Sequence, residues 1–316
     1  AKTLRWASQG DILTLDPHAQ NEGLNIAASS YVYEPLVQYD KDFKITPALA
    51  TEWETPSDTL WRFKIREGVK FHDGSDFTAE DAVFSIHRAM APTSNFKAYV
   101  YGIKEARATD PHTLEIELVG ANPVLLRQLT NLFIMSKAWS EANNTAQPQD
   151  FTKKEETFSA RNAMGTGPYK LSSRQVDVRT EYVENENWWN KDKKVGNVTR
   201  IVYTPITQNA TRTAALLSGE VDFILDPPAQ DLDRIKRQAK VVEGNEYRTI
   251  YIGLDQKSNE LKYSSLKGKN PFADVRVREA LYLAIDTEAI KRSVMRGSSA
   301  PTGTMIAPQV NGWDEE

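Results

Sequence analysis

WRFKIREGVKFHDGSDFTAEDAVFSIHRAM, residues Trp61 to Met90, runs through three kinds of local signal in succession. Trp61, Phe63 and Ile65 alternate with Arg62, Lys64 and Arg66. A period of two puts an aromatic-aliphatic face on a core and a basic face in water, which is a half-buried strand. Asp73-Gly74-Ser75 then breaks the run, because Asp accepts hydrogen bonds within its own turn and Gly takes backbone angles other residues avoid. Thr78 is the expected N-cap of a helix starting at Ala79. Glu80 and Asp81 fall in its first turn, facing unpaired N–H groups and the positive dipole end. Val83, Ile86 and Met90 recur at helical spacing beside Ala82 and Ala89, and Pro92 stops the pattern. Strand, turn and helix with a single apolar stripe predict a helix lying on a sheet.

Outward from this stretch, Thr3 to Ala7 reads as a strand, and a loop from Gln9 leads to a helix beginning near Leu24. Polar turns at Asp40-Lys41-Asp42 and Pro56-Ser57-Asp58 divide Val37 to Phe71 into a small antiparallel meander. Ile103 to Ala108 and Thr113 to Leu118 flank Thr109-Asp110-Pro111-His112 as a second hairpin. Val124 to Leu129 reads as a short helix and Leu132 to Met135 as a compact apolar strand. From Asn143 to Ala163 the composition turns polar, with a charged patch at Lys153 to Glu156, and predicts a surface excursion with at most a short helix. Strands follow at Tyr169 to Ser173, Arg179 to Val183 and Val198 to Pro205. A helix from Thr207 to Ser218, with Ala214, Leu216 and Leu217 inward, ends at Gly219. Val221 to Leu225 then reads as a strand. Helix Gln230 to Gln238 and strand Val241 to Glu243 repeat that rhythm, which belongs to an α/β layer. Ile250 to Leu254 is an expected strand. Asn270-Pro271 leads into a helix bearing Val277, Leu281 and Ile285, and Asp286 or Thr287 caps another that Gly297 ends.

The chain has 316 residues, more than one hydrophobic core usually supports, so two domains, or one and part of a second, are expected. Lys plus Arg number 39 against 43 Asp plus Glu, a balance opposite to a large nucleic-acid footprint. With 40% hydrophobic and 9% aromatic residues the composition is that of a globular protein. The absence of cysteine rules out disulfides, thiolate chemistry and Cys-ligated zinc. No apolar run approaches the ~18 residues of a membrane span. Lys2 to Ala7 already reads as a strand, so any secretory leader is expected to have been removed.

Chemical motifs are few. Gly165-Thr166-Gly167 has Lys170 where a dinucleotide loop needs its third glycine, and Gly268-Lys269 lacks the earlier glycine of a P-loop; both read as turns. His18, His72, His87 and His112 share no metal-ligand spacing, so no metal site is expected. G-x-S-x-G and H-E-x-x-H are missing, and the carboxylates fall where capping and solubility explain them, so neither catalysis nor a cofactor is expected. Trp188, Trp189 and the Tyr99-Val100-Tyr101 cluster could stack on a ligand or fill a core. Trp53 and Trp61 are better placed for a core.

The stretch R-E-G-V-K-F-H-D-G-S-x-F-T-A-E-D-A-V-F-S after a tryptophan-led strand resembles the signature of the family 5 extracellular solute-binding proteins, the peptide- and nickel-binding receptors of ABC importers. Other pieces stand in family order: Leu15 to His18, Ala50 to Trp53, Gly165 to Leu171, Asn185 to Trp189, Ser218 to Asp222 and Asn270 to Leu281. The resemblance implies an α/β periplasmic-binding-protein-like fold of type II, peptide-binding cluster. It implies a lobe I core from residues 1–33 and 164–248, an inserted β-rich subdomain of lobe I at 34–163, and the beginning of lobe II at 249–316. Family members run on beyond this length, so a nearly complete lobe I and the start of lobe II are expected. The implied function is capture of a peptide or similar small solute in the periplasm or outside the cell. Delivery to an ABC transporter permease follows, without covalent change, by a receptor expected to be a monomer at full length and either free or membrane-anchored through a lost N-terminal segment. Asn21, Glu22, Gly23 and Leu24 from the first loop, and Asn95 and Phe96 from the loop after the capped helix, match family positions that face ligand. Two other readings stay open: a ligand-sensing domain of a transcriptional regulator, and a receptor for a nickel complex, an opine or an oligosaccharide.

Overall fold

The computed structural model describes residues 2–153, 155–244, 248–307, 310 and 313. Within it the chain divides into two compact units, Ala1–Asp226 and Pro227–Glu316, a division ahead of the 248/249 boundary drawn from the sequence.

The first unit holds three sheets. Strand β1 (Lys2–Ser8) is followed by helix α1 (Gly23–Val32), the hairpin β2 (Val37–Tyr39) and β3 (Ile45–Pro47), then β4 (Ala50–Ser57) and β5 (Leu60–Ile65). Helices α2 (Ala79–Met90) and α3 (Lys97–Val100) precede the hairpin β6 (Ile103–Asp110) and β7 (Thr113–Leu118). Short helices α4 (Leu125–Leu129), α5 (Lys137–Ala142) and α6 (Phe158–Arg161) lead to β8 (Tyr169–Gln175), β9 (Arg179–Glu184) and β10 (Val198–Pro205). Helix α7 (Asn209–Leu217) and the two-residue β11 (Phe223–Ile224) close the unit. The four-stranded antiparallel sheet has the order β4-β5-β7-β6, and the five-stranded sheet β11-β1-β10-β9-β8. In the latter β1 is parallel to both neighbours, and the β10-β9-β8 half is antiparallel.

The strand-turn-helix reading holds residue for residue at the helix. Ala82, Ile86 and Ala89 of α2 are fully buried, and α2 packs on β6 and β7, meeting Phe63, Ile65, Leu114 and Ile116 in one core. Trp53 and Trp61 lie at the edge of that core, half-buried. The second core gathers Trp6, Ile201, Tyr203 and Tyr182 from the five-stranded sheet under Ala28 and Val32 of α1.

Thr78 has the extended backbone of an N-cap, and the carboxylate of Asp81 closes the capping box by accepting its backbone N–H at 3.0 Å. The Thr78 hydroxyl faces the same oxygen at 3.4 Å, while the other oxygen of Asp81 accepts the N–H of Lys137, the first residue of α5, at 2.9 Å. Asp81 therefore serves two helix starts. The Gly165-Thr166-Gly167 turn is a close-packing device: a Cβ on Gly165 would stand 2.2 Å from the carbonyl oxygen of Val32, and one on Gly167 2.7 Å from it.

Several expected elements differ. Leu132 to Met135 is buried but forms no ladder beyond the single bridge Pro35–Phe133, which includes the bond from Ile134 N–H to Glu34 O; the next N–H, of Met135, goes to the Ser85 hydroxyl instead of a strand. The 143–163 segment is not a surface excursion: Thr145, Gln149, Ser159 and Ala160 are buried, and residue 154 of its charged patch lies outside the described residues. In α7 the buried residues are Arg212, Thr213 and Ala215 rather than Ala214, Leu216 and Leu217, because the Arg212 guanidinium turns inward to the carbonyl of Ile206. Gly219 does end that helix, at φ +77°.

In the second unit, α8 (Leu232–Lys236), α9 (Val275–Ala284) and α10 (Thr287–Ala289) are helical, with Asp286 capping α10. Val241 to Glu243 and Ile250 to Leu254 form no strand, since no partner strand lies beside them among the described residues.

Two stability tests follow from these contacts. Asp81→Ala should cost about 2–3 kcal/mol by stranding two N–H groups, whereas Thr78→Ala should cost about 1 kcal/mol or less. Urea unfolding that ranks them the other way would return the capping role to Thr78. Gly165→Ala should destabilise by about 3 kcal/mol or more, because backbone has to move to admit the methyl; a melting temperature equal to wild type would show that the α1 terminus yields freely.

Candidate functional site

Of the six residues singled out from the sequence, Asn21, Glu22, Asn95 and Phe96 lie on two loops that the structure ties together, and Gly23 and Leu24 open α1. Loop 15–22 precedes α1, and loop 92–96 joins α2 to α3. Asn95 donates its backbone N–H to the carbonyl of His18 at 3.0 Å, and its side-chain amide donates to the carbonyl of Ala19. The Tyr99 hydroxyl donates to Asn21 Oδ1 at 3.0 Å, crossing from α3 back to the first loop. Asn21, Glu22, Gly23 and Asn95 are exposed and Leu24 is half-buried, forming a polar rim. Glu22 is committed locally: its two carboxylate oxygens accept the N–H groups of Leu24 and Asn25, each at 3.1 Å, as the N-cap of α1. Phe96 does not face solvent; it is 1% exposed, with its ring 5.9 Å from His18 and 5.4 Å from Tyr99. It supports the rim from beneath.

Below lies a saturated buried ion pair. Arg88 donates to both oxygens of Asp16, at 2.7 and 2.6 Å, with both side chains inaccessible to solvent. The guanidinium also reaches the carbonyls of Thr145 and Gln147, at 3.1–3.2 and 3.1 Å. Asp16 further accepts from the backbone of His18 and Gln149 and from the Ser159 hydroxyl, at 3.0, 3.0 and 2.8 Å. Burial alone would raise the Asp16 carboxyl, but the adjacent Arg88 overrides it and holds it well below the usual range. His18 Nε2 lies 2.9 Å from Phe133 O, which can only accept, so Nε2 carries the proton and Nδ1 accepts from Arg88 at 3.2 Å. Burial first, then the neighbouring guanidinium, pushes this imidazole down to about 4.

A second buried carboxylate orders the tryptophan pair. Glu34 accepts the indole N–H groups of Trp188 and Trp189, each at 3.0 Å, and the Thr166 hydroxyl at 2.7 Å. The Arg66 guanidinium stacks 4.1 Å above the Trp189 ring. Burial raises the Glu34 carboxyl, against the three donors and Arg66. Trp188 and Trp189 thus have structural work. His72 clamps the same turn, its Nε2 2.9 Å from Gly167 O and its backbone N–H on Gly165 O at 2.9 Å. Burial lowers its imidazole to about 4 as well.

Arg88 and its pairing with Asp16 and His18 escaped the pattern reading, which met Asp16 and His18 in the family piece Leu15 to His18 and weighed His18 only as a metal ligand. The signal available was Asp81, Ser85 and Arg88 at i, i+4 and i+7, a polar stripe beside the apolar one. Among the described residues no group of three or more His, Cys, Asp or Glu could hold a metal ion, and no helix is long and apolar enough to cross a membrane.

Residues 44–316 match the family described as bacterial extracellular solute-binding proteins, family 5 Middle. The chain belongs to this family. It is 31% identical over 312 residues to heme-binding protein A of Haemophilus influenzae, covering 92% of this chain and 54% of that one. To glutathione-binding protein GsiB of Escherichia coli it is 29% identical over 315 residues, covering 98% and 57%. The chain thus spans just over half the length of these family 5 relatives. Among solved structures, the periplasmic binding protein DppA from Helicobacter pylori, in complex with the peptide STSA, matches with a TM-score of 0.82 at 23% identity, covering 99% of this chain and 62% of that one. The oligopeptide-binding protein AppA from Bacillus subtilis matches at 0.84 and 20%, covering 100% and 60%. The fold is therefore the α/β fold of the periplasmic peptide-binding proteins.

His18 and His72 each contribute stability that acid removes. Each is near 4 folded against an ordinary 6.5, so below 6.5 the unfolded chain binds protons that the folded one refuses. Their stabilisation is complete above pH 6.5 and is lost as pH falls toward 4, at about 1.4 kcal/mol per pH unit for each ring. Glu34 and Asp81, both raised by burial, work in the opposite direction, so the contribution is isolated by difference. Urea unfolding between pH 6.5 and 4.5 should show His72→Gln with a slope shallower than wild type by that amount; equal slopes would mean that His72 titrates normally.

Proposed function

We propose that this chain belongs to an extracytoplasmic receptor that captures a peptide or similar small solute and hands it unchanged to an ABC transporter permease. The observation that supports this most is the joining of loops 15–22 and 92–96 into one exposed polar rim at the positions the family resemblance marks for ligand. Asn21 and Asn95 are the rim's solute-facing amides, and Glu22 and Gly23 present the start of α1 beside them. Phe96 acts from below, by packing. The names of the relatives span heme and glutathione, so a non-peptide solute is the second reading.

Calorimetric or NMR titration with reduced glutathione, Ser-Thr-Ser-Ala and heme tests the proposal. Saturable binding of at least one, with a dissociation constant of about 1 mM or tighter, is expected, and Asn21→Ala or Asn95→Ala should weaken it about tenfold. The solute should be recovered at unchanged mass. Protein-dependent turnover, or failure to bind any of the three, would defeat the reading.

A further inference from the structure

His18 is a joint at which every polar group is used. Its backbone N–H is fixed by Asp16 at 3.0 Å and its carbonyl accepts from Asn95 N–H at 3.0 Å. The Ser94 hydroxyl also reaches that carbonyl, at 3.4 Å, and caps the N–H of Phe96 at 2.9 Å. One ring nitrogen is bound to Phe133 O, the other to Arg88, and the ring faces Phe96. His18 is 0% exposed, so a solute on the rim cannot reach it. The next residue, Ala19, holds the side chain of Asn95, and Asn21 follows two positions on. The distance between the two rim amides is therefore transmitted through the main chain of His18 and Ala19, and that main chain has no slack. Arg88 comes from the well-packed helix α2, which refers the position of both loops to a rigid element.

We propose that His18 is a positioning residue for solute capture: clamped by Asp16 and Arg88, it sets the spacing of Asn21 and Asn95, so affinity depends on a side chain the solute never touches. This rests on the solute-binding reading of the rim. A small misplacement of recognition groups costs affinity even where every contact group is still present.

Dissociation constants of reduced glutathione and Ser-Thr-Ser-Ala for the whole chain and its variants provide the test. His18→Ala should weaken binding about tenfold or more, through faster dissociation. His18→Gln, whose amide can donate to Phe133 O and offer an oxygen to Arg88, should recover most of that loss. Leu114→Ala, on β7 in the core that Phe96 also enters, removes no hydrogen bond of either loop; it lowers the melting temperature and should leave affinity within about twofold. If His18→Ala binds as wild type does, or Leu114→Ala weakens binding equally for the same loss of Tm, His18 is merely structural and the inference fails. Should His18→Ala not fold, Ser94→Ala reads the coupling from the facing loop, and unchanged affinity there overturns it too. A wild-type chain that binds neither probe brings down the solute-binding reading and this inference together; wild-type binding with indifferent variants brings down the inference alone.

Discussion

The ion pair between Arg88 and Asp16 is the constraint on which the first unit depends. Taking a guanidinium and a carboxylate out of water costs several kcal/mol per ion, and mutual attraction offsets this only when the remaining hydrogen-bonding capacity is met. Here the carboxylate takes backbone and hydroxyl donors from three further residues, and the guanidinium takes two carbonyls. These partners come from the first loop, from residues 145–149 and from Ser159, so the requirement to satisfy two buried charges dictates where those stretches meet α2. Loss of either charge would leave the other unpaired, at about 3–5 kcal/mol.

Helix α2 carries this constraint because it has two buried faces. Ala82, Ile86 and Ala89 lie on the sheet, where burial is non-directional and contributes about 25 cal/mol per Å². Asp81, Ser85 and Arg88 form the other face: Asp81 and Ser85 hold the 135–137 segment through Lys137 N–H and Met135 N–H, and Arg88 holds Asp16 and the carbonyls of Thr145 and Gln147. The first face sets how the helix lies. The second sets which parts of the irregular chain between β7 and β8 may dock, since hydrogen bonds have direction where apolar contact has none.

What was legible in the sequence was local. The strand, turn and capped helix from Trp61 to Met90, the start of α1, the β6–β7 hairpin and the Gly219 helix end all follow from periodicity or turn chemistry within about a dozen residues. The 143–163 segment was misread because its buried members, Thr145, Gln149 and Ser159, are polar and leave no apolar period; their partners are Arg88 of α2 and Thr14 and Asp16 near the first loop, far off in the chain. Leu132 to Met135 looked like a strand for the opposite reason, an apolar run whose backbone bonds go to Glu34 and a serine hydroxyl. The rim residues were found through the resemblance alone. Nothing local indicates that Tyr99 will bond to Asn21 across 78 residues of chain, or that Phe96 will turn inward.

The placement of β1 has a kinetic consequence. The first strand lies inside the five-stranded sheet, with Lys2 opposite Val198 and Trp6 opposite Phe223. Its hydrogen-bonding partners are thus roughly 200 residues away along the chain, and closing so long a loop has to precede any reward from pairing. During synthesis, Trp6 and Ala7 wait as an unpaired apolar edge until residues 198–224 have appeared. Non-local pairing of this kind is slow to form, and until it does Trp6 and Ala7 are open to contact with other chains.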